Sequence, residues 1–237
     1  MRIDVISAVP DVLRSPLEHS IIKRARDAGH VDIHLHDLRD YSADKHRKVD
    51  DYPYGGGGGM VLSPQPIFDC IESLKAAHDY DEVIFPTPDA PVFSQQTAVD
   101  LFLKENIILL CGHYKGVDQR VRDQLVTCEV SIGDYVLSGG ELPALVIIDA
   151  VVRLIPGAIG DAQSALTDSF QETLLGSPVY TRPANYRGES IPEVLQSGDH
   201  KRVEQWKHEQ ALKKTRTVRP DIYENFLQQQ QKEESQR

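Results

Sequence analysis

The chain has no apolar run that approaches the roughly 20 residues needed to span a bilayer. Its longest apolar stretch, residues 142–155, contains Asp149 and Arg153 and is typical of a buried helix. The first apolar segment, residues 2–7, is too short for the core of a signal peptide. These features argue against a membrane-spanning or secreted protein, and we expect a cytoplasmic one.

Cysteine is also scarce. Cys70, Cys111 and Cys128 form an odd count with no CxxC spacing. Zinc sites and disulfide frameworks need closely spaced or paired cysteines, so we expect reduced thiols. No metal-ligand spacing is present, and we predict no metal ligand from the residues themselves.

An excess of positive charge is missing too. The net charge is −10 and the pI is about 5.3, which argues against a nucleic-acid-binding protein as a whole. Residues 200–219, however, hold seven Lys or Arg against two Glu. Such a local basic surface can bind phosphates, and it can equally be the solvated face of a helix. Composition leaves both interpretations open.

Short apolar segments alternate with helical patterns through the first two thirds of the chain. We predict strands at residues 2–7, 31–38, 82–85, 107–111 and 128–132. We predict helices at residues 16–28, 65–77, 94–103 (with Ser94 as N-cap), 116–125 and 141–155. Residues 39–60 are predicted to be loop. The alternation indicates an α/β domain with a mostly parallel sheet.

The composition changes after the last of these helices. We predict a first domain at residues 1–159 and a flexible linker, rich in Gly, Ala, Ser and Thr, at residues 160–176. A small, mainly helical domain is predicted at residues 177–237. The glutamines at 228–231 and the charged residues after them predict a frayed tail.

Three segments are rich in glycine. Residues 52–60 read YPYGGGGGM; they can cradle phosphates or form a flexible loop, but the Lys-Ser/Thr pair of a P-loop does not follow. Residues 111–118, CGHYKGVD, and 131–143, SIGDYVLSGGELP, each follow a predicted strand. Because ligands bind at the carboxyl ends of parallel strands, both predict a binding site, although a structural turn would have similar glycines.

Two single residues also stand out, Arg153 in an apolar helix and Asp168 in the linker. An arginine on an apolar helix more often pairs with a carboxylate or extends to solvent. An aspartate in a linker more often caps a helix or is solvated. Taken alone, neither residue indicates catalysis.

Seven motifs follow one another in a recognisable order. They are HRxVDDxPYGGGxGM at residues 46–60, CGxYxGxDxRV at 111–121, SIGDYVLSGGELPA at 131–144, RxIPG at 153–157, DSF at 168–170, YTRP at 180–183 and VLxSG at 194–198. In these motifs and their order, nearly the whole chain resembles the bacterial tRNA (guanine-N1)-methyltransferases of the TrmD type.

The resemblance implies a SPOUT fold, in which an α/β domain with a mostly parallel sheet ends in a deep C-terminal trefoil knot and a small, mainly helical domain follows. It implies a homodimer that uses S-adenosyl-L-methionine (SAM) to methylate N1 of guanine at position 37 of tRNA, next to the anticodon. It also implies Mg²⁺. Carried over by position, the SAM-binding residues are Pro86, Thr87, Pro88, Gly112, Tyr114, Gly116, Ile132, Gly133, Asp134, Tyr135, Val136, Leu137, Gly139, Gly140 and Pro143.

The same resemblance assigns roles to the two isolated residues. Asp168 matches the general base that removes the N1 proton, and Arg153 matches the cation that stabilises negative charge on O6 of guanine. A base on a linker suggests that the site assembles on the substrate, so we expect residues 160–171 to be poorly ordered without tRNA. The basic C-terminal stretch would contact phosphates of the anticodon stem.

One departure from the family's pattern concerns Lys115, which stands where an acidic residue is common. Any role of that acid in guanine contacts or metal binding does not carry over, and our hypothesis is that Lys115 contacts an RNA phosphate. Three other functions are alternatives: a SPOUT methyltransferase for a different base, an inactive RNA-binding relative, and a nucleotide-binding enzyme. The DSF motif argues against the first, the retained base and SAM loops against the second, and the missing Lys-Ser/Thr against the third.

Overall fold

The computed structural model of the chain describes residues 1–159, 170 and 174–235. It divides into two compact units, Met1–Ala162 and Gln163–Arg237. The first unit contains, in chain order, β1 (Arg2–Ser7), α1 (Asp11–Leu17), α2 (Ser20–Asp27), β2 (Asp32–Asp37), a 3₁₀ helix (Leu38–Tyr41), β3 (Asp50–Asp51), β4 (Val61–Leu62), α3 (Pro64–Ala77), β5 (Glu82–Pro86), α4 (Gln95–Phe102), β6 (Asn106–Leu110), α5 (Gln119–Gln124), β7 (Cys128–Val130) and α6 (Glu141–Val152).

Five parallel strands form the central sheet of this unit, in the order β2-β1-β6-β5-β7. The predicted α/β fold with a mostly parallel sheet is therefore confirmed. β6 lies at the centre, and its apolar side chains are fully buried: Ile107, Ile108, Leu109 and Leu110. A strand covered on both faces needs such a continuous apolar run.

Alternate side chains of the strands pack into two separate cores. Ile107 and Leu109 face α1, α2, α4 and α6, whereas Ile108 and Leu110 face α3 and α5. Because β5, β6 and β7 are parallel and adjacent, their carboxyl ends lie at the same edge of the sheet. The loops that follow these three strands are thereby brought together.

The predicted helix at residues 16–28 is wrong, because α1 and α2 occupy this region as two separate helices. Ser20 has a φ of 55°, and a residue in the left-handed region interrupts a right-handed helix. The prediction that Ser94 caps the helix at residues 94–103 is confirmed, since its Oγ accepts a hydrogen bond from Thr97 N at 3.2 Å at the start of α4.

Residues 39–60 are not entirely loop, as the sequence predicted. The 3₁₀ helix overlaps their start, and β3 pairs with β4 in an antiparallel arrangement across the glycine-rich segment. A strand of two residues has no alternation of polar and apolar side chains, so the sequence pattern does not reveal it.

The second unit is mainly helical in the part that the structure describes. It contains the hairpin β8 (Asn185–Tyr186) and β9 (Glu189–Ser190), a 3₁₀ helix (Glu193–Gln196), α7 (His200–Val218) and α8 (Pro220–Ser235). α8 continues through the glutamines that the sequence predicted to fray, and glutamine has a good helix propensity. Among the described residues of the whole chain, none of the helices is both long enough and apolar enough to cross a membrane.

Candidate active site

Three loops at one edge of the sheet enclose a cavity of about 390 Å³. We call them the β5 loop (residues 87–93), the β6 loop (residues 111–118) and the β7 loop (residues 131–140). The SAM-binding residues carried over by position line this cavity with one exception, Asp134, which is exposed and lies outside the lining. The structure therefore brings together Pro86, Thr87, Pro88, Gly112, Tyr114, Gly116, Ile132, Gly133, Tyr135, Val136, Leu137, Gly139, Gly140 and Pro143.

Main-chain hydrogen bonds join the β5 loop to the start of the β7 loop. Thr87 N donates to Val130 O at 2.9 Å, Ser131 N donates to Pro91 O at 2.8 Å, and Phe93 N donates to Ser131 O at 2.7 Å. The parallel pairing of β5 and β7 thus continues beyond the strands. One wall of the cavity is therefore held by hydrogen bonds between main-chain atoms.

The end of the β7 loop returns to the β6 loop and packs against its main chain. Gly140 N donates to Gly112 O at 2.8 Å. A Cβ atom on Gly140 would lie 2.8 Å from Cys111 Cα and 2.9 Å from Gly112 N, which is closer than real Cβ atoms approach. A Cβ atom on Gly139 would collide with a side-chain oxygen of Glu141. Gly140 is required because two segments of main chain meet here, whereas Gly139 is surrounded by side chains.

Two further features of the loops depend on local backbone conformation. Gly133 has a φ of +143°, and a Cβ atom there would lie 2.6 Å from the ring of Tyr135. Tyr114 has a φ of 60°, which is uncommon for a residue with a side chain and frequently marks a functional site. The Tyr114 side chain is about half exposed and lines the cavity.

Arg122 is a lining residue of the cavity that sequence reasoning missed. Its guanidinium donates to both carboxylate oxygens of Glu129, at 2.7 and 2.8 Å, and to Asp89 at 3.0 Å. Pairing with Glu129 raises the pKa of Arg122, and hydrogen bonds from Thr87 and Arg122 lower the pKa of Asp89. The sequence holds no signal for this group, because Arg122 and Asp89 are far apart in the chain.

A buried polar group lies beside the cavity. Glu141 is almost completely buried at the start of α6, and its Oε1 accepts a hydrogen bond from Ser7 Oγ at 2.7 Å. The N-terminus of a helix stabilises a carboxylate. His113 lines the cavity, and its Nδ1 is buried with no hydrogen-bond partner in the part of the chain that the structure describes.

The glycine-rich segment lies next to the β6 loop. Lys115 N donates to Met60 O at 3.0 Å, and the Lys115 side chain packs against Gly59. Four of the five glycines have positive φ angles, from 80° to 109°, which explains why other residues would be strained there. Tyr54 is fully exposed on this segment.

Of the predicted catalytic pair, the structure describes Arg153 and not Asp168. Arg153 follows α6, is partly buried, and donates its N–H to Asp149 O at 3.1 Å. It does not line the cavity. Asp168, and residues 160–171 apart from Phe170, lie outside the residues that the structure describes.

The described residues contain no group of three or more His, Cys, Asp or Glu side chains that could hold a metal ion. Lys115 stands where an acidic residue is common in the family, and its side chain extends along Gly59.

Comparison with known proteins places these features in context. The model of the tRNA (Guanine-1)-methyltransferase TrmD family matches residues 1–225. A Christiangramia forsetii protein named tRNA (guanine-N(1)-)-methyltransferase is 56% identical over 225 residues, covering 95% of this chain and 100% of the relative. Proteins of the same name from Flavobacterium johnsoniae and Bacteroides fragilis are 57% and 55% identical, covering 94% and 95% of this chain and 99% and 100% of the relatives.

Proposed function

The chain belongs to the tRNA (Guanine-1)-methyltransferase TrmD family, and from that premise we propose that it transfers a methyl group from SAM to N1 of guanine at position 37 of tRNA. The observation that carries the proposal is the cavity at the carboxyl edge of the sheet. Its lining contains nearly all the residues expected to bind SAM, within a family match that spans almost the whole chain.

The cavity has the chemistry that SAM requires. Gly112, Gly139 and Gly140 contribute main chain to the lining, while Ile132, Leu137 and Pro143 supply apolar surface for an adenine ring. Ligand sites commonly combine apolar walls with a few polar groups that fix orientation. When bound, SAM supplies a methyl group that is already activated on a sulfonium.

The remaining chemistry belongs to protein side chains. N1 of guanine carries a proton and is a poor nucleophile at neutral pH, so we assign Asp168 as the general base that accepts this proton while the methyl group moves to N1. Negative charge then develops on O6, and we assign Arg153 as the cation that stabilises it. No step is assigned to Mg²⁺.

We further propose that the chain acts as a homodimer with its active site between subunits. α6 leaves Leu142 and Val146 about half exposed on its outer face, although a helix that is apolar all round is normally buried. Asp149 and Arg153 continue the same face at spacings of three and four residues. A second copy packed there would cover the apolar residues and lie beside Arg153.

The trefoil knot is likewise part of the proposal. It is supported by the β7 loop, which returns to the β6 loop and is held there through Gly140 and Gly112.

For the second unit we propose a role in binding tRNA, because tRNA is the substrate of the family and α7 carries basic side chains. The Lys and Arg side chains of residues 200–219 are all exposed, so they are available to phosphates. We expect the enzyme to act in the cytoplasm, where its tRNA substrate is found.

The test is methyl transfer from labelled SAM to two tRNA transcripts, one with guanine and one with adenine at position 37. We expect transfer to the guanine transcript alone. Asp168→Asn should lower the rate by about 10²–10⁴-fold, the usual contribution of a positioned base, while SAM binding measured by calorimetry stays unchanged.

Two results would contradict the proposal. Transfer that does not depend on position 37 would indicate a SPOUT methyltransferase for a different base. SAM binding without any transfer to either transcript would indicate an inactive RNA-binding relative.

A further inference from the structure

Arg122 on α5 joins three segments of the cavity wall. Its Nε and Nη2 donate to the two oxygens of Glu129 on β7, and Nη2 also donates to Asp89 in the β5 loop at 3.0 Å. The Arg122 side chain is only 21% exposed. A planar guanidinium that binds one carboxylate with two parallel hydrogen bonds is held in a fixed orientation.

Asp89 connects Arg122 to residues that line the cavity. Its second carboxylate oxygen accepts a hydrogen bond from the hydroxyl of Thr87, and Thr87 N donates to Val130 O at 2.9 Å. Thr87 and the prolines on either side of it line the cavity. Arg122 therefore fixes the β5 loop through Asp89.

The guanidinium also reaches the aromatic wall of the cavity. Its central carbon lies 5.5 Å from the centroid of the Phe85 ring, a distance at which a cation and an aromatic face attract each other. The same ring lies 2.9 Å from the position that a Cβ atom on Gly112 would take. Phe85 is thus confined between Arg122 and the β6 loop.

We propose that Arg122 is a positioning residue for the methyl donor, which it serves by holding Asp89 and Phe85 so that the cavity is formed before the donor binds. The inference rests on the proposed function, in which this cavity binds SAM. Without Arg122, the β5 loop and Phe85 would be free to adopt other positions, and binding would have to order them again. Methyl transfer from donor already bound would change little.

Arg2 provides a matched control. It also forms two parallel hydrogen bonds with one carboxylate, that of Asp4, at 2.7 and 3.0 Å, and its side chain is 22% exposed. Arg2 does not line this cavity. Arg2→Gln should therefore lower stability much as Arg122→Gln does, but it should leave the KM for SAM unchanged.

The experiment compares wild type, Arg122→Gln, Arg122→Lys, Asp89→Asn, the Arg122→Gln/Asp89→Asn double variant and Arg2→Gln. KM for SAM, KM for tRNA and kcat are measured with the guanine-37 transcript, and thermal unfolding is followed in parallel. We expect Arg122→Gln to raise KM for SAM about tenfold, because the variant loses the hydrogen bonds of the charged guanidinium. The kcat and the KM for tRNA should stay within about twofold of wild type. Arg122→Lys keeps the positive charge but loses the planar pair of donors, so its KM for SAM should lie between those of wild type and Arg122→Gln.

Asp89→Asn distinguishes positioning from direct contact with the ligand. If Arg122 acts through Asp89, this variant should also raise KM for SAM, and the double variant should be no worse than Arg122→Gln alone. A normal KM in Asp89→Asn beside a raised KM in Arg122→Gln would overturn the proposal, because Arg122 would then not act through Asp89. An equal change in Arg2→Gln would overturn it in favour of a general loss of stability.

These outcomes are separate from failure of the proposed function. If wild type transfers no methyl group to the guanine transcript, the proposed function is wrong and this inference is wrong with it. If wild type is active and both substitutions at Arg122 leave KM for SAM unchanged, only this inference is wrong.

Discussion

At the scale of single residues, Gly140 allows the β7 loop to approach the β6 loop. We expect Gly140→Ala to weaken SAM binding at least tenfold, because its Cβ atom would lie 2.8 Å from Cys111 Cα and the main chain would have to move. Calorimetry with SAM measures the effect. Gly58→Ala is the control, since an added Cβ atom there has no neighbour within 4 Å among the described residues; equal weakening in both variants would contradict the argument.

Asp4 is the centre of a buried polar network away from the cavity. It accepts hydrogen bonds from Arg2, His36 and Tyr80, all at 2.7 Å. Burial alone would raise the pKa of Asp4, but the hydrogen bonds from His36, Arg2 and Tyr80 outweigh burial and lower the pKa from 3.8 to about 2. The ionised form is therefore the one that stabilises the fold.

The direction of this shift predicts a pH dependence. A depressed pKa contributes stability above the unfolded value of 3.8, and this contribution is lost as the pH falls through the folded value of about 2. We expect Asp4→Asn to lower the free energy of unfolding by about 2 kcal/mol at neutral pH. Denaturant unfolding at pH 7 and near pH 3 measures the difference from wild type, which should be smaller at the lower pH; a constant difference would assign the loss to geometry instead.

A substitution of Lys115 tests the departure from the family's pattern at this position. Its side chain lies along Gly59 and lines the cavity, and our hypothesis is that its ammonium group contacts an RNA phosphate. We expect Lys115→Ala to weaken tRNA binding and to reduce the slope of log affinity against log salt by about 1. Lys75→Ala, at an exposed position on α3, should change neither, and an unchanged slope in Lys115→Ala would remove the proposed phosphate contact.

Residues of the site differ in how far the sequence reveals them. Gly112, Gly139 and Gly140 occur in glycine-bearing segments directly after predicted strands, so their place at the cavity followed from the strand pattern. The sequence does not mark Arg122 and Asp89, since their pairing joins segments that are distant in the chain. The catalytic roles of Asp168 and Arg153 came from the resemblance alone and stay predictions.

At the scale of secondary-structure elements, prediction succeeded where burial is continuous. β6 is an unbroken apolar segment because it is covered on both faces, and that pattern correctly predicted a strand there. Prediction failed at residues 16–28, where a single left-handed residue, Ser20, separates two helices. It also missed β3 and β4, because pairing over two residues is determined by partner strands rather than by their own side chains.

α6 has one face buried in the core and another that is exposed and apolar. Its inner face is buried through Ala144, Ile147, Ile148, Val151 and Val152, which accounts for most of its apolar character. Burial within one chain does not account for Leu142 and Val146, which are 51% and 48% exposed on the opposite side. The proposed second subunit would cover these exposed apolar side chains.

At the scale of the whole molecule, the proposed dimer makes activity depend on this face of α6. We expect the double substitution Leu142→Glu/Val146→Glu to give monomers in sedimentation velocity and to lower methyl transfer by at least 10²-fold, since two charges would be buried without partners at the interface. Leu103→Glu, at a side chain that is 72% exposed beside α4, is the control and should leave both properties unchanged. A double variant that still sediments as a dimer would place the interface elsewhere, and an active monomer would show that one subunit supplies the complete site, which would also remove the reason for Arg153 to face a partner.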